Sequence, residues 1–151
     1  MKRILSTFLA LAVSVTFVFV VTSWKHSVTA VHAQGGCSVA TVKGNYGFTF
    51  SGFSTPSPKG GVGAFPFYGE GLGTFDGAGS FSATFASSFN GVSSTGSTYT
   101  ATYTVDSDCT GLLTSTSGGD NFAFVIVSAG TEILATDLTS GHTLSLDLKR
   151  Q

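Results

Sequence analysis

Residues 80–89 read Ser-Phe-Ser-Ala-Thr-Phe-Ala-Ser-Ser-Phe and carry the clearest secondary-structure signal in the chain. The apolar side chains of Phe81, Ala83, Phe85 and Phe89 share one parity, whereas the positions between them are hydroxylic or small. Because successive side chains of a β-strand point to opposite faces, an extended chain here has one apolar and one polar face. The segment therefore predicts a half-buried β-strand.

The same alternation returns along the rest of the chain between residues that favour turns. It predicts eight strands, at about 45–53, 64–75, 80–89, 97–106, 110–116, 122–128, 131–138 and 142–149. Glycine, asparagine and aspartate, which tolerate a positive φ, occupy the junctions at 76–79, 90–91, 118–121, 129–130 and 140–141. Short connections of this kind favour antiparallel neighbours, and closure removes exposed sheet edges. We therefore predict an all-β fold, an eight-stranded antiparallel up-and-down (meander) β-barrel.

The N-terminal segment has the features of an export signal. Met1-Lys2-Arg3 is positively charged, and residues 4–24 carry no charge. We predict a signal peptide at 1–33, with cleavage after Ala33 or, as a second candidate, after Ala30, and a single β-barrel domain at 34–151. The mature protein would then be secreted or periplasmic, without a stable membrane span. The alternative is an uncleaved membrane anchor, because the apolar run approaches the roughly 18 residues that span a bilayer.

The chain has two cysteines, and export favours their pairing. Cys37 precedes the first predicted strand, and Cys109 lies between the fourth and the fifth. Because strand direction alternates, both cysteines fall at the same end of the barrel, called the bottom here. We predict a Cys37–Cys109 disulfide at that end, with residues 37–44 crossing beneath the barrel as a plug.

The opposite end, called the top, carries the connections that we predict to form a ligand mouth. Its candidate residues are Pro56, Pro58, Asn90, Asp120, Asn121 and His142. The predicted inward residues are rich in aromatic rings, whereas Gly71, Gly73, Ala83 and Ala101 leave space. These rings belong to Phe48, Phe50, Phe65, Phe67, Tyr99, Tyr103, Phe122 and Phe124. An eight-stranded barrel is filled by side chains or holds one small ligand, so we expect a small hydrophobic ligand as partner.

The charge pattern argues against several classes of function. From Gln34 onward, four Lys and Arg stand against eight Asp and Glu, a net charge of −4. Scattered cations do not neutralise a phosphate backbone, so we predict no nucleic-acid partner. No serine-nucleophile motif accompanies His142, which we interpret as a surface residue. We predict no catalytic residue and no cofactor.

Two further motifs have structural interpretations. Residues 106–111 begin like a calcium loop, but Ser117 stands where the bidentate glutamate belongs, so we interpret the segment as a turn in which Asp106 and Asp108 cap backbone donors. The alternating glycines of 69–73 precede no helix that could bind phosphate. We interpret them as a smooth strip against which an aromatic ring packs, and we predict no metal site.

Several motifs together resemble a group of small exported, Gly- and Thr-rich bacterial proteins of unknown function. They are Cys37-Ser38, Lys43-Gly44-Asn45-Tyr46-Gly47-Phe48, Thr74-Phe75-Asp76-Gly77-Ala78-Gly79, Tyr103-Thr104-Val105, Asp108-Cys109-Thr110-Gly111 and Lys149-Arg150-Gln151. The barrel also resembles those of lipocalins and plant allene oxide cyclases, although no lipocalin Gly-x-Trp motif is present. The resemblance implies a fold rather than an activity.

These observations lead to a ranked set of functional hypotheses. The first is a secreted non-enzymatic barrel that binds a small apolar ligand or a surface partner. The second is a structural or matrix-associated protein with a threonine-rich wall, made by Thr98, Thr100, Thr102 and Thr104. The third is an enzyme of isomerase or cyclase type, which requires a carboxylate in the lumen. Glu70, Glu132 and Asp137 lie within predicted strands, and the strand register decides whether one of them faces inward. Because 122–127 is apolar on both faces, we also expect a homo-oligomer formed through this strand.

Overall fold

The computed structural model describes residues 36–55 and 63–151, so the predicted leader and the loop with Pro56 and Pro58 lie outside the described residues. Its strands are β1 (Gly44–Ser54), β2 (Phe65–Phe75), β3 (Ser80–Phe89), β4 (Val92–Val105), β5 (Thr110–Ser115), β6 (Phe122–Val127), β7 (Glu132–Asp137) and β8 (His142–Arg150). A short 3₁₀ turn, Val39–Val42, precedes β1. Within the described ranges, no helix is long and apolar enough to cross a membrane.

The strands form a closed barrel in sequence order. Every neighbouring pair is antiparallel, and β1 also pairs with β8, where Phe48 lies opposite Leu148. This confirms the predicted eight-stranded up-and-down meander, in which each strand pairs with its neighbours in the chain and the first meets the last. The eight strands and their order also agree with the architectural likeness to lipocalins.

One predicted strand boundary is wrong. We expected the fourth strand to begin near residue 97, but β4 begins at Val92. Asn90 and Gly91 adopt positive φ angles of 47° and 82°, which form a tight reversal and pair Val92 directly with Phe89. The added residues are exposed hairpin stem, so they lack the apolar alternation that marked the other strands.

The core consists of side chains that point into the barrel at alternating strand positions. Its buried strand residues are Tyr46, Phe48, Phe50, Phe75, Phe81, Ala83, Ala101, Tyr103, Leu113, Phe122, Phe124, Ile126, Ile133, Ala135, Leu144 and Leu148. The threonines of β4 point outward and are exposed, as predicted. Phe67 and Tyr99 are partly buried and pack against this core. The period-two pattern thus separates lumen from surface for these residues, whereas Phe65, also predicted to point inward, is half-buried and lies outside this core.

The glycine strip of β2 is a packing surface, as we interpreted it. Gly71 lies opposite Phe48 on β1 and Phe85 on β3. A Cβ atom built on Gly71 would lie 2.6 Å from Phe85 Cβ, and one on Gly73 would lie 2.6 Å from Phe81 Cζ. The second expectation, that these glycines leave space in the lumen, is wrong for Gly73, because the Phe81 ring occupies that space.

The bottom of the barrel is closed by the segment that begins at Cys37. The Cys37–Cys109 disulfide is present, with the two Cα atoms 5.0 Å apart, and Val42 of the 3₁₀ turn is fully buried. The buried Tyr46 hydroxyl donates a hydrogen bond of 2.6 Å to the Gly130 carbonyl oxygen and accepts one of 2.9 Å from the Arg150 guanidinium. The predicted disulfide and plug are confirmed.

The segment that begins like a calcium loop is a turn. Asp108 Oδ1 accepts hydrogen bonds from the Thr110 amide at 3.0 Å and from the Thr110 hydroxyl at 2.7 Å. These bonds lower the pKa of Asp108, because they stabilise the ionised carboxylate. Cys109, within this turn, has a φ of 70° and forms the bond to Cys37. The turn interpretation is thus confirmed for Asp108.

A second Asx turn, at Asp76 between β2 and β3, gives a testable pH dependence. Asp76 Oδ1 accepts bonds from the amides of Ser80 at 2.9 Å and Ala78 at 2.7 Å, and these bonds lower its pKa below the usual 3.8. A lowered folded-state pKa adds stability that is complete above the unfolded pKa and is lost as the pH falls through the folded pKa. We expect Asp76→Asn to reduce stability at neutral pH, with the deficit shrinking as the solution is acidified below about pH 4.

Urea unfolding at several pH values measures this deficit. Glu70→Gln removes one charge from an exposed position on the outer face of β2 and serves as the matched control. If the difference in free energy of unfolding between Asp76→Asn and the wild type stayed constant as the pH fell below about 4, the role given to the ionised carboxylate would be contradicted.

Candidate functional site

The lumen contains a half-open cavity of about 350 Å³, at the small end of the range of about 300–1,000 Å³ that ligand pockets occupy. Its walls are mainly apolar. They include Phe50, Phe85, Tyr99, Leu113, Phe122 and Leu144. Residues 117–120, in the connection between β5 and β6, line it at the top end. The lumen is therefore filled at the bottom and hollow toward the top.

The hollow arises from the distribution of large side chains along the barrel. Near the bottom, the rings of Phe75 and Phe81 lie 4.5 Å apart and those of Phe75 and Tyr103 lie 5.0 Å apart, which fills the interior. Closer to the top, β8 contributes Leu144 and Leu146 to the lining of the lumen and no aromatic side chain. We expected the small side chains of Ala83 and Ala101 to leave space, but neither lines the hollow, whose aromatic rings come from β1, β2, β3, β4 and β6 and whose leucines come mainly from β8.

A polar cluster lies beside the cavity at the top end. Asp137 is the last residue of β7, His142 is the first of β8, and Asp120 precedes β6. His142 Nδ1 lies 2.7 Å from Asp120 Oδ1 and 3.6 Å from Asp137 Oδ2. The interpretation of His142 as an unengaged surface residue is wrong, because its side chain is only 24% exposed and contacts both carboxylates.

The strand pattern places two members of this cluster on the inner wall. Asp137 continues the inward row of Ile133 and Ala135, and His142 continues that of Leu144. Asp137 is opposite Phe122 and its side chain is completely buried, 0% exposed. Two titratable groups thus face the interior where neighbouring strands meet.

Burial and like charge shape the electrostatics of the cluster. Burial is the main cause that raises the pKa of Asp120, the negative charge of Asp137 raises it further, and His142 opposes both effects. Burial also raises the pKa of Tyr99, whose hydroxyl donates a 2.6 Å hydrogen bond to the Asp120 carbonyl oxygen. This bond fixes the loop that carries Asp120 against the cavity wall.

Two atoms in the cluster lack hydrogen-bond partners among the described residues. They are Asp137 Oδ2 and His142 Nδ1, which are both buried. Asp137 Oδ1, by contrast, accepts a 2.7 Å bond from the Thr139 amide. The close approach of His142 Nδ1 to Asp120 is a contact in which the ring N–H direction does not suit a hydrogen bond. Buried polar atoms are usually paired, so these two require an explanation.

The other residues of the predicted mouth have different positions. Asn121 is structural. Its side-chain Oδ1 accepts a 2.9 Å bond from the backbone amide of Ser115, and its backbone amide donates a 3.0 Å bond to Thr139 Oγ1. Asn90 lies in the β3–β4 turn, where its backbone amide donates a 2.9 Å hydrogen bond to the Pro66 carbonyl oxygen. Of the described candidates, Asp120 and His142 are brought together. Asp137, one of the three carboxylates considered for the lumen, joins them, and sequence reasoning did not predict this grouping.

The outer wall has an apolar patch across β5, β6 and β7. Leu112, Val125 and Leu134 are 50%, 39% and 43% exposed, and Val125 lies opposite Leu134. In β6, Phe122, Phe124 and Ile126 point inward, so the two-sided apolar character of this strand is confirmed. The homo-oligomer expected through this strand stays a prediction.

No protein-family model matches the sequence, and no curated protein matches it significantly. The resemblance to exported bacterial proteins therefore stays a prediction. Function has to be argued from the geometry of the lumen and of the cluster at its top.

Proposed function

We propose that the protein is a secreted, non-enzymatic β-barrel that binds one small apolar molecule in its lumen. The observation that carries this proposal is the apolar cavity of about 350 Å³. Filled barrels of this size have no such hollow, since eight strands leave an interior that side chains can pack completely. Retaining a hollow costs packing energy, and a bound apolar molecule recovers it.

The lining indicates which kind of molecule fits. Aromatic rings and leucines form most of the wall, and a ligand gains about 25 cal/mol for each Å² of apolar surface that it buries. The polar side chains of the lining are few. They are Thr98, Tyr99, Ser117 and Asp120, and the last two belong to the connection at the top. A compact hydrophobic body with one polar end, directed toward the top, suits this distribution best.

The disulfide supports the exported location. Disulfides persist in oxidising compartments and are rare in the cytosol, and the Cys37–Cys109 bond fixes the plug of this barrel. The charged start and apolar run of the leader point in the same direction. Cleavage after Ala33 or Ala30 and release from the membrane remain part of the proposal.

The alternative of an isomerase or cyclase requires a carboxylate in the lumen. Asp137 is such a group, but it is turned to His142, and Asp120 is the carboxylate that lines the cavity among the described residues. Both carboxylates contact His142, whose Nδ1 lies 2.7 Å from Asp120 Oδ1 and 3.6 Å from Asp137 Oδ2. The structural or matrix-associated alternative rests on the exposed threonines of β4. It does not explain why the barrel has a cavity.

Mass spectrometry of an organic-solvent extract tests the proposal directly. Protein purified from the exported fraction without detergent should release one small apolar species, near one molecule per chain. An extract without such a species, together with no binding of apolar fluorescent probes by the stripped protein, would contradict lumen binding.

A cavity-filling variant tests where the molecule binds. Leu144 is 4% exposed and lines the cavity from β8, so we expect Leu144→Trp to weaken probe binding by about tenfold or more, or about 1.4 kcal/mol. Leu134→Trp, a position 43% exposed on the outside of β7, is the matched control and should bind normally. Loss of binding in Leu134→Trp but not in Leu144→Trp would place the probe on the outer wall.

A further inference from the structure

We propose that Asp120, Asp137 and His142 form a binding site for one divalent transition-metal cation, with Zn²⁺ the best fit. One ligand atom from each residue lies within 4.8 Å of the others. The three residues come from three separate segments, β7, β8 and the connection before β6, so the fold itself brings them together. The inference does not depend on the lumen ligand.

The unpaired atoms point to a ligand. Asp137 Oδ2 and His142 Nδ1 are buried without hydrogen-bond partners among the described residues, and they lie 3.6 Å apart. Leaving a buried carboxylate oxygen unpaired costs about 1–3 kcal/mol or more. Asp137 Oδ2 and His142 Nδ1 do not form a hydrogen bond with each other. A cation placed between them would accept a lone pair from each and so satisfy both atoms.

Charge supports the same conclusion. Two carboxylates share this site with one imidazole, and the Asp137 side chain is completely buried. A protonated imidazole balances one of the two negative charges at most. Because unpaired charges are costly in a buried setting, a divalent cation compensates the pair of carboxylates better than any group that the described residues supply.

The donor set indicates the metal. Imidazole nitrogen suits Zn²⁺ and other late first-row ions, whereas Mg²⁺ and Ca²⁺ prefer sites made only of oxygen. Zinc binds imidazole nitrogen and carboxylate oxygen at about 2.0–2.2 Å, and three protein ligands leave its fourth position open. Asp120 also lines the cavity, so the site borders the lumen.

The geometry needs only a local adjustment. The contact of 2.7 Å between His142 Nδ1 and Asp120 Oδ1 is shorter than the roughly 3.4 Å that separates ligands around a tetrahedral zinc ion. The Tyr99 bond holds the backbone of Asp120, so the adjustment is a rotation of the Asp120 side chain, while Asp137 and His142 stay fixed by β7 and β8.

Titration of the metal-stripped protein with ZnCl₂ tests the site. Protein produced from the full-length sequence, without a histidine tag, should bind one Zn²⁺ per chain by isothermal titration calorimetry, with little response to Mg²⁺. His142→Gln and Asp137→Asn should each weaken binding by about a hundredfold or more. Asp106→Asn, at the opposite end of the barrel, is the matched control and should bind as the wild type does.

Other outcomes would overturn the proposal. These are no saturable binding, weak binding spread over several sites, or an unchanged affinity in His142→Gln. Any contribution from His26 and His32 is common to all variants. If a variant does not fold, anomalous diffraction from zinc-soaked wild-type crystals decides instead. It should place one ion within about 2.2 Å of all three side chains, and an ion elsewhere would refute the site.

Discussion

Removal of the disulfide by Cys37→Ser with Cys109→Ser is expected to lower the free energy of unfolding by about 4 kcal/mol. The two cysteines are 72 residues apart in the chain, and the bond restricts the unfolded ensemble by closing that long loop. A domain of this size is stable by only about 5–15 kcal/mol, so the loss is a large fraction of the total. Urea unfolding followed by far-ultraviolet circular dichroism measures it.

The double alanine variant is the control for the serine hydroxyls. Cys109 is 8% exposed and belongs to the core, so serine there introduces a polar group that needs a partner. If the loss comes from the cross-link, the serine and alanine pairs should agree within about 1 kcal/mol. A loss below about 1 kcal/mol in both would mean that the plug and barrel bottom hold without the bond.

In the folded double variant, we expect the bottom of the barrel to open more readily than the rest. The plug is also held by Tyr103, whose hydroxyl donates to the Val39 carbonyl oxygen at 3.1 Å, and by the Arg150 guanidinium, which donates to the Thr41 carbonyl oxygen at 2.9 Å. These bonds are local, whereas the disulfide ties the start of the domain to its middle. Native-state proteolysis of the double variant should therefore first cut near residues 37–43.

The fold was predictable because its signals are local. Alternation of apolar and polar side chains defines each strand, and the turns join strands that are neighbours in sequence. The only strand pairing between distant parts of the chain that remains to be predicted is the one between the first and the last strand, which closes the barrel. The failure at β4 has the same origin. Between Val92 and Gly96 the strand is held by hairpin pairing alone, and an exposed stem has no apolar face to detect.

The polar cluster was only partly predictable. Extending the inward parity of β7 by one step past Ala135 reaches Asp137, and extending that of β8 back from Leu144 reaches His142. The pattern thus contained the signal for two of the three residues. Asp120 lies in a connection without periodicity. Its position depends on the bond from Tyr99, which joins residues that are 21 apart and follows no sequence rule.

The second large effect is expected for Gly71→Val, which should destabilise the barrel by about 3 kcal/mol. A Cβ atom on Gly71 would lie 2.6 Å from Phe85 Cβ and 2.8 Å from Phe85 Cα, and it would also overlap the Thr84 carbonyl oxygen. Since two of these atoms are backbone, a rotamer change in Phe85 does not relieve the clash. The paired strands β2 and β3 must separate, which weakens the hydrogen bonds between them.

Leu72→Val is the matched control, because Leu72 is the next residue on β2, points outward and is 63% exposed. Its effect should stay within about 0.5 kcal/mol. If Gly71→Val were as stable as this control, the close approach of β2 to Phe85 would be wrong. Gly71→Ala links the strip to function, since Phe85 lines the cavity and any displacement of its ring narrows the lumen. We therefore expect Gly71→Ala, where it folds, to bind apolar probes more weakly than Leu72→Val does.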